Sequence, residues 1–303
     1  MRKTRDSPSW DSHTPSCIQM PKVIFDRIVE AHVAVMHPTK IDLTHCINVA
    51  ICVAVTALII GLFHAAVARR FKRVYFALHV FANVVIVALT AESGIRAFLN
   101  PGSSTLPPPG ESPRSHYYLV WIFALHAYHP VFFRTNTMDW IHHIPVYVCN
   151  FLMFGCLSGD NFCAQARVLT GIPGGLDYLL LVIEGEGKLS RTRYKHLSAL
   201  INNWFRAPLG FITGYACLIG LIQQYESSQP TLYQSFVFTL MGIHAMWNPP
   251  FFGRQAIEAN VIDTINRFEL AGRASKSSDG NLKPISLEEV RAKSGREPTH
   301  KAE

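Results

Sequence analysis

The sequence predicts an all-α polytopic membrane protein, a bundle of about seven transmembrane helices with disordered tails. Three observations predict it. Apolar residues gather in blocks of about twenty, long enough to cross a hydrocarbon core of roughly 30 Å. Only 16% of the chain is charged and 49% is hydrophobic, where soluble domains average roughly 25% charged. The Lys and Arg residues behind the net charge of +7 lie in short connectors and in the tails, a distribution set by membrane topology. No RNP, zinc-finger or helix-turn-helix pattern accompanies them, so no nucleic-acid partner is expected. The organisation is a polar N-terminal tail with an interfacial helix (1–40), the bundle (41–262) and a polar, disordered cytoplasmic tail (263–303).

Residues 1–22 are rich in Ser and Pro and lack the apolar h-region of a cleavable signal. Residues 23–36 mix apolar residues with Asp26, Arg27, Glu30 and His32, as an interfacial helix or a packed lid would. The first span covers 43–68 and is followed by Arg69, Arg70, Lys72 and Arg73. The second covers 74–99 and closes on Glu92 and Arg96, four apart and so able to pair. The Pro/Gly/Ser stretch 100–115 cannot stay helical. The third span, 116–133, carries His126 and His129. The fourth, 138–157, opens on DWIHHIP. SGDN at 158–161 is a polar turn into the fifth span, 162–184, which GIPGG at 171–175 should break or kink. The sixth covers 197–223, and the seventh covers 231–252 and ends in WNPPFF. The basic connectors after the first and fifth spans and the basic tail beyond Arg254 share one parity, which places the N-terminus outside and the C-terminus in the cytoplasm. The basic N-terminal tail dissents.

Polar residues inside these spans are more than anchors need, and ionisable groups at membrane depth default to a functional reading. Asp139 precedes His142 and His143 by three and four residues, so all three can share a helix face. One imidazole of the pair could act as a general base oriented by Asp139 or Asp177, since its unperturbed pKa lies near neutrality. Arg206 suits a phosphate or carboxylate and needs Asp177 or Glu184 as counter-ion if it lies deep. Asn202 with Arg206 and His244 with Asn248 are i,i+4 pairs on single faces. These residues, with Glu184 and His126, are the candidate substrate-binding set. Isolated polar residues of this kind also hydrogen-bond between helices with no further role. A metal at His126, His129, His142 and His143 ranks third, because HxxH plus HH supplies four ligands where membrane di-iron enzymes use about eight; no metal or cofactor is expected. The seven cysteines show no CxxC or Cys/His ladder.

The His142–His143 pair opening a middle span, Asp177 and Glu184 on the next, Asn202, Asn203 and Arg206 on the one after, and Trp247–Asn248 in the last span together resemble the TLC-domain family, over about residues 40–260. That is the membrane domain of ceramide synthases, translocating-chain-associated proteins and several lipid regulators. The resemblance implies an internal membrane such as the endoplasmic reticulum, membrane lipids as partners, and an acyl transfer with acyl-CoA as co-substrate. Of the catalytic set it implies, His142, His143 and Asp177 have counterparts. The His-Asp dipeptide and the further Asp of ceramide synthases do not, since the stretch reads GIPGGLDYLLLVIE. Two functions stay open: a TLC-like lipid acyltransferase using the His pair, and a non-enzymatic lipid sensor or transporter whose polar residues line a cavity. A second copy of the chain is a further candidate partner.

Overall fold

The computed structural model describes residues 19–36, 41–100, 116–156, 159–227 and 230–274, and every regular element among them is helical. The expectations for residues 1–18, for the loop 101–115 and for residues 275–303 fall outside the described residues.

The first helix, α1 (Gln19–Met36), buries Ala31 and Val35, and the Val35 carbonyl accepts the His116 N–H at 3.2 Å. It is a packed lid. The Asp42 carboxylate starts α2 (Leu43–Val67) by accepting the His45 N–H at 2.9 Å, satisfying an amide that the helix leaves unbonded. The predicted second span is two helices, α3 (Val74–Leu89) and α4 (Ala91–Leu99), bent by 58°. Between them the Thr90 hydroxyl donates to the Ile86 carbonyl at 2.7 Å, a back-bond that bends helices. A short turn joins α5 (Tyr117–Phe132) to α6 (Thr137–Phe154).

GIPGG does not break the fifth segment. Here α7 (Asp160–Ala166) widens into a π turn (Arg167–Gly171) and continues as α8 (Ile172–Gly185). Pro173 falls in the first turn of α8, where its missing N–H is tolerated. The sixth segment repeats the device: α9 (Arg191–Ile201), a π turn (Asn202–Arg206), then α10 (Ala207–Ser227). WNPPFF does not end the seventh segment either, because α11 runs Leu232–Ala274 through Pro249 and Pro250, past the bundle limit set at residue 262. The Ala245 carbonyl, whose α-helical partner would be the N–H that Pro249 lacks, faces Gly210 on α10. Gly214 lies so close to α11 that a Cβ there would come within 2.7 Å of the Gly242 carbonyl. This GxxxG spacing lets the two backbones touch.

Among the described residues three helical segments are long and apolar enough to cross a membrane, Leu43–Val67, Asp160–Gly185 and Arg191–Gln223, and the bent pair α3–α4 would make a fourth. That is fewer than the predicted seven. The 16 residues of α5 reach about 24 Å at 1.5 Å per residue, short of a bilayer core, and α6 interrupts its apolar run with Asp139, two histidines and Asn150.

Ion pairs tie the ends of the bundle. At one end Arg73 pairs with Glu184, the Lys72 N–H donates to Glu186 at 2.8 Å, and Lys195 on α9 pairs with Asp263 on α11 at 3.1 Å. At the other, Arg96 pairs with Asp160 at 3.2 Å and with Glu92, as their spacing predicts, at 2.6 Å.

Candidate functional site: a polar cavity beside an imidazole cluster

The polar face of α5 and the start of α6 meet. His126 and His129, three apart on α5, turn toward His142 and His143 on α6, and His79 comes in from α3. Ring centroids are 4.3 Å apart for His79–His129, 5.5 Å for His129–His143, 5.0 Å for His126–His143 and 5.1 Å for His126–His142. Two hydrogen bonds fix tautomers. His126 Nδ1 donates to the Ile122 carbonyl at 2.7 Å, and His79 Nδ1 donates to the Tyr75 carbonyl at 3.0 Å. Each therefore offers Nε2 as an acceptor when neutral. His126 Nε2 lies 3.1 Å from His142 Nε2, so His142 holds the proton between them. His129 and His143 are fully buried, and neither nitrogen of either ring has a hydrogen bond among the described residues.

Beside the cluster lies a cavity of about 60 Å³ between α5, α6, α7, the two π turns and α11. Its polar wall comprises His142, Asn150, Gln165, Arg206, His244 and Asn248. Among the described residues Gln165 is fully buried with both amide atoms unbonded, and both ring nitrogens of His244 and the amide nitrogen of Asn150 are also unbonded. A smaller cavity of about 20 Å³ joins His79, His126, His142 and Arg206 on their other side.

Arg206 is placed by the two π turns. Its Nε donates to the Leu169 carbonyl at 2.8 Å, whose α-helical partner would be the N–H that Pro173 lacks. Its Nη1 donates to Asn202 Oδ1 at 3.1 Å, and Asn202 is held in turn by the Ser198 carbonyl at 2.9 Å. No ion pair within 4 Å joins Arg206 to a carboxylate among the described residues; Asp177 is the carboxylate whose charge faces it, and Glu184 is not its counter-ion. The Asp177 carboxylate instead sits against Ser198 and Asn202. Glu184 lies at the end of α8, committed to Arg73.

Thus the structure brings His142, Arg206, His244 and Asn248 to one cavity with Asn202 bracing Arg206, places His126 in the smaller cavity that His142 and Arg206 also line, and seals His143 behind them. Asp139 is spent elsewhere: its carboxylate accepts the Asn136 N–H at 2.8 Å while Asn136 Oδ1 accepts the Asp139 N–H at 3.0 Å, a reciprocal cap for α6. Neither histidine of the pair is hydrogen-bonded to a carboxylate; His126 takes that place for His142. No three His, Cys, Asp or Glu side chains are grouped to hold a metal among the described residues. Sequence reasoning missed Gln165, Asn150 and His79. The signal for Gln165 was Asn161–Gln165 at i,i+4 inside an apolar run. Family models, curated proteins and solved structures offer no match to this chain.

Proposed function

We propose that this is a multi-pass membrane protein that binds a long-chain lipid by its oxyanion end, a carboxylate or a phosphate, in the Arg206 cavity, and that it is non-enzymatic. The observation that carries this is the state of Arg206: a cation inside an apolar bundle, braced by a carbonyl and an amide, with no carboxylate hydrogen-bonded to it among the described residues, Asp177 acting only at longer range, and a cavity on its open side. A partly buried cation with no carboxylate in hydrogen-bond contact is under-compensated, and charge-assisted bonds to an oxyanion would complete it. A volume of about 60 Å³ suits a few waters or one small head and is too tight for a sugar. An apolar groove of about 470 Å³ along α2, α5, α6 and α11, walled by Val53, Phe123, Phe151 and Tyr233, offers room for hydrocarbon. In this reading α2, α3–α4, α5, α6, α7–α8, α9–α10 and α11 make seven crossings of an internal membrane such as the endoplasmic reticulum, as in the TLC-domain proteins that the sequence resembles. The chain could also self-associate.

The test is saturable binding of radiolabelled oleate and, in a separate arm, phosphatidic acid to protein in phosphatidylcholine nanodiscs, with acetate and inorganic phosphate as competitors. We expect one lipid arm to saturate, resist the soluble anions and fail with Arg206→Gln. No saturable binding in either arm would sink the reading.

A second reading, acyl transfer from acyl-CoA, draws on the His126–His142 contact, which orients His142 as a base without a carboxylate. It requires a labelled acyl product from palmitoyl-CoA and membrane lipid that His142→Ala abolishes while binding persists.

A further inference from the structure

We infer that the site takes a proton together with the oxyanion, with His142 as the proton acceptor. The inference rests on the oxyanion reading of Arg206.

The argument begins with proton counting. His126 has no room for a further proton, because its Nδ1–H is committed to Ile122 and its Nε2 accepts from His142. Within that pair the sole basic nitrogen left is Nδ1 of His142. Both cavities are walled by His142 and Arg206 together, so a proton arriving on His142 faces the guanidinium across the same small space. Two cations on one water-poor wall repel each other strongly. An oxyanion between them reverses the sign for both, and the arginine then ceases to bar protons from the imidazole cluster. Anion and proton each create the other's binding condition, so their coupling is reciprocal.

The surroundings leave His142 the task. On α5 it faces His126 with His129 beyond, and on α3 His79. Its own helix contributes His143 and, one turn earlier, Asp139, which is committed to the cap. From α8 come Tyr178 and, beyond Arg206, Asp177 held by Ser198 and Asn202. On α11 lie Phe252 and His244. No carboxylate is hydrogen-bonded to the ring among the described residues; Asp139 and Asp177 act on its neighbours His143 and Arg206, so a counter-charge at hydrogen-bond range comes from the ligand. The unbonded nitrogens of His79, His129 and His143 are all more than nine-tenths buried. They give an entering proton acceptors on its way in, as chains of intramembrane histidines do in proton relays.

The experiment is calorimetric titration of the full-length protein in phosphatidylcholine nanodiscs with dodecane-1-sulfonate. A sulfonate stays ionised throughout, so any proton taken up belongs to the protein. Runs in HEPES and Tris, whose ionisation heats differ, count the protons. We expect about one proton per sulfonate and an affinity that falls about tenfold per pH unit as pH rises, the signature of one coupled proton. His142→Gln, and independently His126→Gln, should bind more weakly, without uptake and without pH dependence. Binding with no proton uptake by the wild type overturns the inference and leaves the Arg206 site standing. So does a site that binds oleate and refuses the sulfonate, which would mean that it takes the neutral acid. Binding of none of the three, oleate, phosphatidic acid or the sulfonate, overturns the Arg206 reading itself.

Discussion

Arg96 and Arg206 are both arginines on helices of one apolar bundle, and the molecule treats them oppositely. Arg96 at the end of α4 meets two carboxylates, Asp160 on α7 at 3.2 Å and Glu92 on its own helix at 2.6 Å. Arg206 in the second π turn hydrogen-bonds a carbonyl and an amide beside a cavity and faces the Asp177 carboxylate only at longer range. Buried charge tolerates neither isolation nor loose geometry. The completed cluster is therefore structure, and the less complete one is the cation we propose as the binding site. The same contrast separates the histidines of the cavity from the charged lattice of α9 and α11, where Asp263 is met by Thr192, Lys195 and Arg267.

The largest expected effect comes from removing the incomplete cation. Arg206→Gln should weaken binding of the oxyanion lipid about 100-fold, the loss of a charge-assisted contact worth roughly 1.5–3 kcal/mol, while Arg96→Gln stays within about twofold of wild type. Equilibrium binding in nanodiscs checks both. Equal losses from the two variants would erase the distinction between them.

Next is the conversion of one arginine into the other. Asn202 Oδ1 already accepts from Arg206 Nη1 at 3.1 Å, so Asn202→Asp supplies the missing carboxylate without a new contact. Binding of the oxyanion lipid should fall by about tenfold, because an internal anion competes for the guanidinium. A variant that binds as well as wild type would show that Arg206 does not need its charge to be uncompensated.

These distinctions mark where the sequence is legible. The apolar blocks of α2, α5 and α6 are local features, and their limits in the structure fall within a few residues of those predicted. Glu92–Arg96 is also local, four apart on one helix, and forms as expected. Whether Arg206 finds a carboxylate is decided by how α8 and α9 pack, and nothing in the spacing of Asp177 and Glu184 says that one turns to Ser198 and the other to Arg73. Proline misled for a related reason. Gly171–Gly175 and Pro249–Pro250 read as breaks, because each proline removes a helical hydrogen bond. A π turn and the donor Arg206 compensate the first, and close contact with Gly210 accommodates the second. Asp139 read as a catalytic orienter, yet Asn136 three residues earlier makes the local cap pattern that claims it.

A smaller effect belongs to the completed cluster. Arg96→Gln leaves Asp160, 11% exposed in its side chain, without its arginine, while Arg96 itself is 39% exposed. Solvent at the arginine discounts the loss that a fully buried pair would show, to about 1–2 kcal/mol. Thermal unfolding in nanodiscs should register it, with the lipid site unaffected. A loss as large as that of a core cavity would mean that the pair is more enclosed than its exposure indicates.

The smallest effect concerns Asp263, beyond the last apolar stretch of α11. Partial burial pushes its carboxyl up, but the Thr192 hydroxyl, Lys195 and Arg267 outweigh that and hold it below the usual carboxylate range. A carboxyl depressed by folding stabilises the native state at all pH above its unfolded value of about 3.9, and that contribution disappears as pH falls through the folded value. Asp263→Asn should therefore be less stable than wild type at pH 7, by under about 1 kcal/mol as for other accessible pairs. The gap should begin to close as both proteins are taken below about pH 4 and vanish below the lower folded value, where the wild-type carboxylate is neutral too. Unfolding temperatures of the two proteins across that range supply the measurement. A gap that stays constant into acid would assign the stabilisation to the shape of the side chain, and the α9–α11 lattice would lose its claim to be held by charge.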